Sequence, residues 1–272
     1  GEDTARRGET MTRGSHGTLR LGSDFGYFED NIAGTGLASA VVYGTGYVGV
    51  GQVGLVAVNE GSLAWTIDED GGILAITTDS GDDDNACLLV GRLRPANGGV
   101  QMEARFKFNS ATLAGIFVGF SETMALDTPV VPAEFATATM TYNGTGGMMG
   151  ASLDTDGTTD DFRILSGDAG AATGGSGNGA RASETITADE WYLVRTEIEA
   201  DGNGLVYVGH KGDAMDLIRV ASAVQGKSFT GAGVTPGDQQ YAVCMFENRS
   251  AAARLFEVDY LFARGFRDWA NT

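Results

Sequence analysis

Positive charge is scarce in this chain. Lys and Arg together number 18 against 36 Asp and Glu, which gives a formal net charge of −18 and a pI near 4.3. A surface with that balance repels phosphates and excludes nucleic-acid binding through a basic face. It suits attraction of cations or docking on a basic partner. Histidine is limited to His16 and His210, and no G-x-S-x-G elbow exists, so a Ser-His-Asp triad is excluded. The two cysteines, Cys87 and Cys244, lie in apolar strand-like runs without a C-x-x-C pair. They read as buried thiols and not as zinc ligands, and a disulfide between them needs neighbouring strands. No run of about 18 apolar residues is present, so no membrane-spanning helix is expected. The polar N-terminus does not read as a secretory signal. Prolines number four, and Pro129 with Pro132 limits any helix within Met124–Ala138 to a single turn.

Glycine, by contrast, is abundant: 42 of 272 residues, about twice the usual share. The 42% hydrophobic content supports a packed core, and a chain of this length buries roughly three quarters of its unfolded surface. The most regular stretch begins at Trp191. Tyr192, Val194, Thr196 and Ile198 alternate with Leu193, Arg195, Glu197 and Glu199. Asp201-Gly202-Asn203-Gly204 then supplies residues that tolerate positive φ, and Leu205 begins the return. That is a β-hairpin, and the same grammar recurs along the chain. Met102, Ala104, Phe106 and Phe108 alternate with charged residues, and Ile116–Phe120 is apolar throughout. The pattern predicts an all-β sandwich of antiparallel sheets.

Three segments are expected in order. Residues 1–22 lack periodicity and carry Arg6, Arg7, Arg13 and Arg20 against Glu2, Asp3 and Glu9, which makes an extended arm of net charge +1. Residues 23–264 form the sandwich, and 265–272 form a short tail. Gly44-Thr45-Gly46-Tyr47-Val48-Gly49 matches G-x-G-x-x-G, but no strand–helix context surrounds it, so glycine-weakened strands are the better reading. Residues 166–182 read as a glycine- and alanine-rich external loop.

Several stretches carry a resemblance by their order. They are Asp24–Asp30, Gly71–Thr78, Asp84-Asn85-Ala86, Arg94-Pro95-Ala96-Asn97-Gly98 leading to Met102–Lys107, Gly115–Glu122, Leu153–Thr158, Trp191-Tyr192, Glu199-Ala200-Asp201-Gly202, and Val258-Asp259-Tyr260-Leu261. The series resembles the concanavalin A-like lectin/glucanase jelly roll in the version found in tailed-bacteriophage head decoration and head-fibre proteins. The resemblance implies two antiparallel sheets in a jelly roll with an extended N-terminal arm. It also implies a non-enzymatic virion protein on the outer capsid surface, with the major capsid protein as partner. A homo-oligomer is implied, a trimer first, since capsids offer three-fold positions. A lectin-like module binding a glycan is the alternative.

The site candidates follow. Glu197 and Glu199 have the i, i+2 spacing of a carboxylate pair, but read as a solvated outer strand face. Asp154, Asp156 and Asp160 around Gly157 resemble the opening of a calcium loop, with no Glu at the twelfth position. No other cofactor is expected. Trp65 and Trp191 read as core. Phe266 and Trp269 in the tail, with the arginines of the arm, are the candidate partner contacts.

Overall fold

A computed structural model of the chain describes residues 18–21, 41–42, 47–50, 53–58, 61–66, 73–124, 130–136, 139–143, 146–157, 159–168, 171–173, 180–181, 186–210 and 234–266. The strands run β1 (Thr18–Leu21), β2 (Val41–Val42), β3 (Tyr47–Val50), β4 (Val53–Val58), β5 (Gly61–Thr66), β6 (Ile73–Thr78) and β7 (Asn85–Leu93). A 3-10 turn at Pro95–Asn97 leads to β8 (Val100–Phe108), β9 (Ala114–Ser121), β10 (Ala133–Ala136), β11 (Thr139–Tyr142) and β12 (Met148–Asp154). Then come β13 (Arg163–Asp168), β14 (Ala171–Thr173), β15 (Ala180–Arg181), β16 (Tyr192–Ile198), β17 (Gly204–His210), β18 (Gln240–Asn248) and β19 (Leu255–Phe266).

Two antiparallel sheets carry the molecule. The first has the order β17-β16-β8-β19-β6-β5-β2, with β1 also paired to β19. The second has the order β14-β13-β12-β9-β18-β7-β4-β3, with β15 also on β13. The expected all-β sandwich is therefore what the chain forms. The β16–β17 hairpin has the register Ile198↔Gly204, and its turn is held by Asp201, whose carboxylate accepts the Asn203 N–H at 3.0 Å. Gly202 sits there at φ +87, the left-handed region that glycine enters without a Cβ penalty.

Strand periodicity of two sets what is inside. Tyr192, Val194, Thr196 and Ile198 are all buried, as their alternation predicts. They join Phe106, Phe108, Phe162, Phe246 and Phe256 between the sheets. The rings pack at centroid distances of 5.3 Å (Phe108–Tyr192), 5.7 Å (Phe106–Phe246) and 4.6 Å (Phe246–Phe256). Tyr192 carries a polar group into this core, and its hydroxyl donates to the Thr187 carbonyl and accepts the Thr187 N–H.

The central strands of the second sheet, β9, β12 and β18, are buried on both faces. A second apolar cluster, with Cys87, Leu89, Phe117, Val243 and Met245 on the sheet, lies under Val131, Ala133 and Phe135. The cover is the β10–β11 hairpin, with Ala133↔Tyr142 in register. The single helical turn expected within Met124–Ala138 is thus a strand in its described C-terminal part. Two prolines favour extended backbone, and the hairpin lets the segment lie along β12. Ser152 Oγ donates to the Ala133 carbonyl, and the Phe135 N–H donates to Asp154 two residues on.

The glycine-rich stretches and the arm bear on the sequence reading in three further places, the first in agreement with it and the other two different. Tyr47–Val50 forms β3 and pairs antiparallel with β4, while Gly44–Gly46 lie outside the described residues. Residues 166–182 supply β14, β15 and the end of β13. Thr18–Leu21, at the end of the expected arm, pairs with Ala263–Phe266 of β19.

Cys87 and Cys244 do lie on neighbouring strands, yet the register pairs Cys244 with Leu88 and Cys87 with Met245. A one-residue offset on paired strands puts the two thiols on opposite faces of the sheet. One faces the inter-sheet core and the other the second cluster. Burial pushes both thiols well above their ordinary range. A thiol-reactive dye should label neither cysteine in the native protein and both after denaturation, with no change on adding reductant. Labelling that needs prior reduction would contradict the offset.

Candidate functional site

The register of the second sheet lines up Asp154 (β12), Gly115 (β9), Glu247 (β18) and Asn85 (β7) in one row. Directly paired residues share a face. The next row, Ser152, Phe117, Met245 and Cys87, lies on that same face and lines the cluster under β10. The polar row is thus the edge of an apolar floor. Arg249 follows Glu247 by two residues and returns to the same face. Its guanidinium lies over Gly115, where a Cβ would come within 3.2 Å of Nε and 3.3 Å of the Glu247 Cβ. Glycine is what leaves the guanidinium its place. Gly115→Ala should destabilise by about 1–3 kcal/mol, read in urea unfolding, because the methyl displaces a buried ion pair.

The guanidinium is held on several sides. Asp154 takes it bidentately, with Nε at 3.1 Å and Nη2 at 2.8 Å. Nη1 donates to Asp83 at 2.6 Å and lies 2.5 Å from Glu247 Oε1, off the line of an N–H bond. Glu134 and Asp156 stand 3.9 Å away. Asp154 also accepts the backbone N–H groups of Phe135 and Asp156, so its two oxygens receive four donors. The floor is dry, with side chains 1% exposed at Asp154 and Glu247 and 5% at Arg249. The rim is wet, at 67% for Asp83 and 59% for Asp156.

Burial dominates the electrostatics. It pushes the Glu247 carboxyl up to about 8 against the pull of Arg249, with Glu134, Asp83 and Asp154 raising it further. Burial by itself would weaken the charge on Arg249, but Glu247 and Asp154 more than offset this and hold it above its ordinary value. Asp156 is raised by partial burial and by Asp154, Asp82 and Asp83, against Arg249.

The calcium reading of Asp154, Asp156 and Asp160 is corrected by this geometry. Asp154 points inward and spends both oxygens on a guanidinium, so the cation it faces is Arg249. Asp156 sits on the rim. Asp160 is exposed, raised by partial burial and by Asp161, which itself pairs with Arg163 at 2.9 Å. Among the described residues, no group of three or more His, Cys, Asp or Glu is placed to hold a metal ion. Nothing local in the sequence announces Arg249, because its main partner is 95 residues away.

The outward face of the first sheet holds the other candidates. Glu197 pairs with Arg195, which reaches Glu103 at 3.9 Å, while Lys107 meets Glu257 at 3.0 Å and Arg105 meets Asp259. Glu199 lies beyond the end of β16 and is exposed, so Glu197 and Glu199 form no facing pair. Trp191, expected in the core, is half-buried on this outer face. The Arg105 guanidinium stands 4.3 Å and the Lys107 ammonium 5.0 Å from its ring centre. The tryptophan directly precedes β16, at the position that alternates outward, and the cations of β8 find its π face. Arg20 and Phe266 belong to the β1–β19 pairing. Arg6, Arg7, Arg13, His16 and Trp269 lie outside the described residues, and so does the side chain of Trp65.

No family model and no curated protein matches the chain. Among solved structures, a protein of unknown function from Shewanella oneidensis MR-1 is similar at 13% identity and a TM-score of 0.48, covering 97% of this chain and 96% of that one. Peanut lectin is similar at 12% identity and 0.48, covering 84% and 98%. A pseudo β-1,3-glucanase of Mycobacterium tuberculosis is similar at 12% and 0.41, covering 72% and 75%. The fold itself is an all-β sandwich of two antiparallel sheets. These likenesses concern architecture, and activity has to be argued from the residues.

Proposed function

We propose that this chain is a structural protein of a tailed-phage particle, of the head decoration or head-fibre type. It acts on the outer capsid surface by contact with the major capsid protein and with sister copies, a trimer first. The observation that carries the reading is the fate of the carboxyls. The densest set, around Arg249, is spent on joining the β6–β7 loop, β10, the end of β12 and β18 to one another. Its most acid-like member, Glu247, is 1% exposed and cannot meet a substrate. Of the other carboxylate pair, Glu197 joins a ladder of ion pairs and Glu199 is exposed beyond the end of β16. A hydrolase of this architecture needs two open carboxyls facing one bond. The described residues offer contact surface instead: an acidic rim at Asp83, Asp156 and Glu134, suited to a basic partner.

Quantitative mass spectrometry of purified particles tests this, read as copies of this chain per major capsid protein. Tens to hundreds of copies per particle are expected, and absence from particles would overturn the proposal. Deleting residues 1–17, which spares β1, should leave a folded sandwich that no longer joins particles.

The second reading is a glycan-binding module. Trp191 favours it, since an aromatic ring outside the core beside Arg105, Lys107, Asp259 and Glu257 is a surface on which a sugar ring can stack. Binding on a glycan array that is lost in Trp191→Ala would move this reading to first place.

A further inference from the structure

Asn248, the last residue of β18, has no exposed surface. Its amide nitrogen lies within hydrogen-bond distance of four backbone carbonyl oxygens: Asp79 at 3.3 Å, Gly81 at 2.9 Å, Ser250 at 2.6 Å and Ala252 at 2.8 Å. An amide NH2 has two hydrogens. Four acceptors around it are two more than it can serve. The orientation of the amide is fixed by its other end, because Ser250 Oγ donates to Asn248 Oδ1 at 3.2 Å.

Two loops build this cage. The Ser80 N–H turns to the Asp79 carboxylate and the Gly81 N–H to Asp84, each at 2.7 Å. The carboxylates take the donors of the loop, so its carbonyls are left to face inward. Gly81 has no Cβ where one would come within 2.5 Å of Asp84 Oδ2. The loop is pinned to β18 by Asp83 N–H to Asn248 O and Asn248 N–H to Asp84 O, both 2.8 Å. A ring of neutral carbonyl oxygens replaces the hydration shell of a potassium-sized ion. Three of the four distances, at 3.3, 2.9 and 2.8 Å, exceed the 2.3–2.6 Å that calcium takes.

We propose that this carbonyl cage is an alkali-cation site of potassium size, in which the Asn248 amide holds the place of the ion until one enters. The amide group withdraws as the ion arrives, and the four carbonyls then coordinate a full positive charge. Asp79 and Asp84 supply a negative field around it without touching it. The donors are main-chain oxygens, which is why the site is invisible in a search for carboxylate, imidazole and thiolate clusters. A bound ion would tie the β6–β7 loop, which carries Asp83, to the turn after β18, which carries Arg249.

The test is thermal unfolding of the full chain, stripped of alkali ions into choline chloride, with potassium chloride exchanged in at constant ionic strength. A saturable rise is expected with K+ and Rb+ but not Li+, roughly 3–5 °C at ten times the Kd. Equal Tm in potassium and choline would overturn the proposal, as would a rise produced by Ca2+ alone. Asn248→Ser removes the competing amide and should shift the potassium midpoint to lower concentration, since the site no longer has to be vacated. Crystals of the unaltered protein soaked in rubidium chloride keep the idea testable if that variant does not fold. An anomalous peak among the four carbonyl oxygens is expected, and its absence at saturating rubidium would overturn the assignment.

Discussion

Replacing Arg249 with methionine should lower stability by about 3–5 kcal/mol, one of the larger effects a single substitution can have. Methionine fills a similar volume and removes only the charge and its donors. Asp154 then keeps two backbone donors but loses its bidentate partner, in a site where its side chain is 1% exposed. An uncompensated carboxylate in such a place costs far more than the ion pair contributes. Urea unfolding at pH 7 measures the loss. Arg249→Lys should recover little, because one ammonium cannot reach Asp154 through two parallel bonds while also meeting Asp83 and Glu247. A lysine variant as stable as the parent would show that charge alone matters, and that the fork over Gly115 does not.

Glu247→Gln should act in the opposite direction and only at high pH. The Glu247 carboxyl is held at about 8 in the folded protein, against an ordinary 4.5. Between those values the folded state keeps a proton that the unfolded state has released. Stability from this group is therefore full below 4.5, falls as pH rises, and levels off above 8. The slope is about 1.4 kcal/mol per pH unit. Glutamine imitates the protonated carboxyl and does not titrate. The variant should match the parent near pH 4.5 and exceed it by about 4–5 kcal/mol at pH 9. Parallel stability curves for the two proteins across pH 5–9 would sink this account of the site.

The sandwich was readable wherever a strand alternates and a turn residue follows. Tyr192 to Ile198 shows both signals, and the Asp201–Gly204 turn fixes its register. The charged face of β8 was readable for the same reason. The site was only half readable. Asp154 stands out as part of an acidic run, and the run invites a metal. What it faces is decided by a row across four strands, whose members come from residues 85, 115, 154 and 247. No local pattern encodes that row. Trp191 was misread because a tryptophan beside a strand usually means core. The phase of the alternation, with Tyr192 inward, already placed it outside. The Met124–Ala138 segment was misread because the apolar floor that draws β10 into a strand is assembled from the second sheet.

β19 is twelve residues long, and its last four are paired with β1, Thr18 lying opposite Phe266. The N-terminal end of β1 and the C-terminal end of β19 therefore meet at one corner of the first sheet. Tension applied between them would load the first rung of a ladder and open its hydrogen bonds one after another. It would not drag the two strands past each other with every bond strained together. The corner is built to peel at low force, while the β8 side of β19 stays intact. Anything that grips both ends at once holds the molecule by its weakest seam, and detachment of β1 would be the first mechanical event.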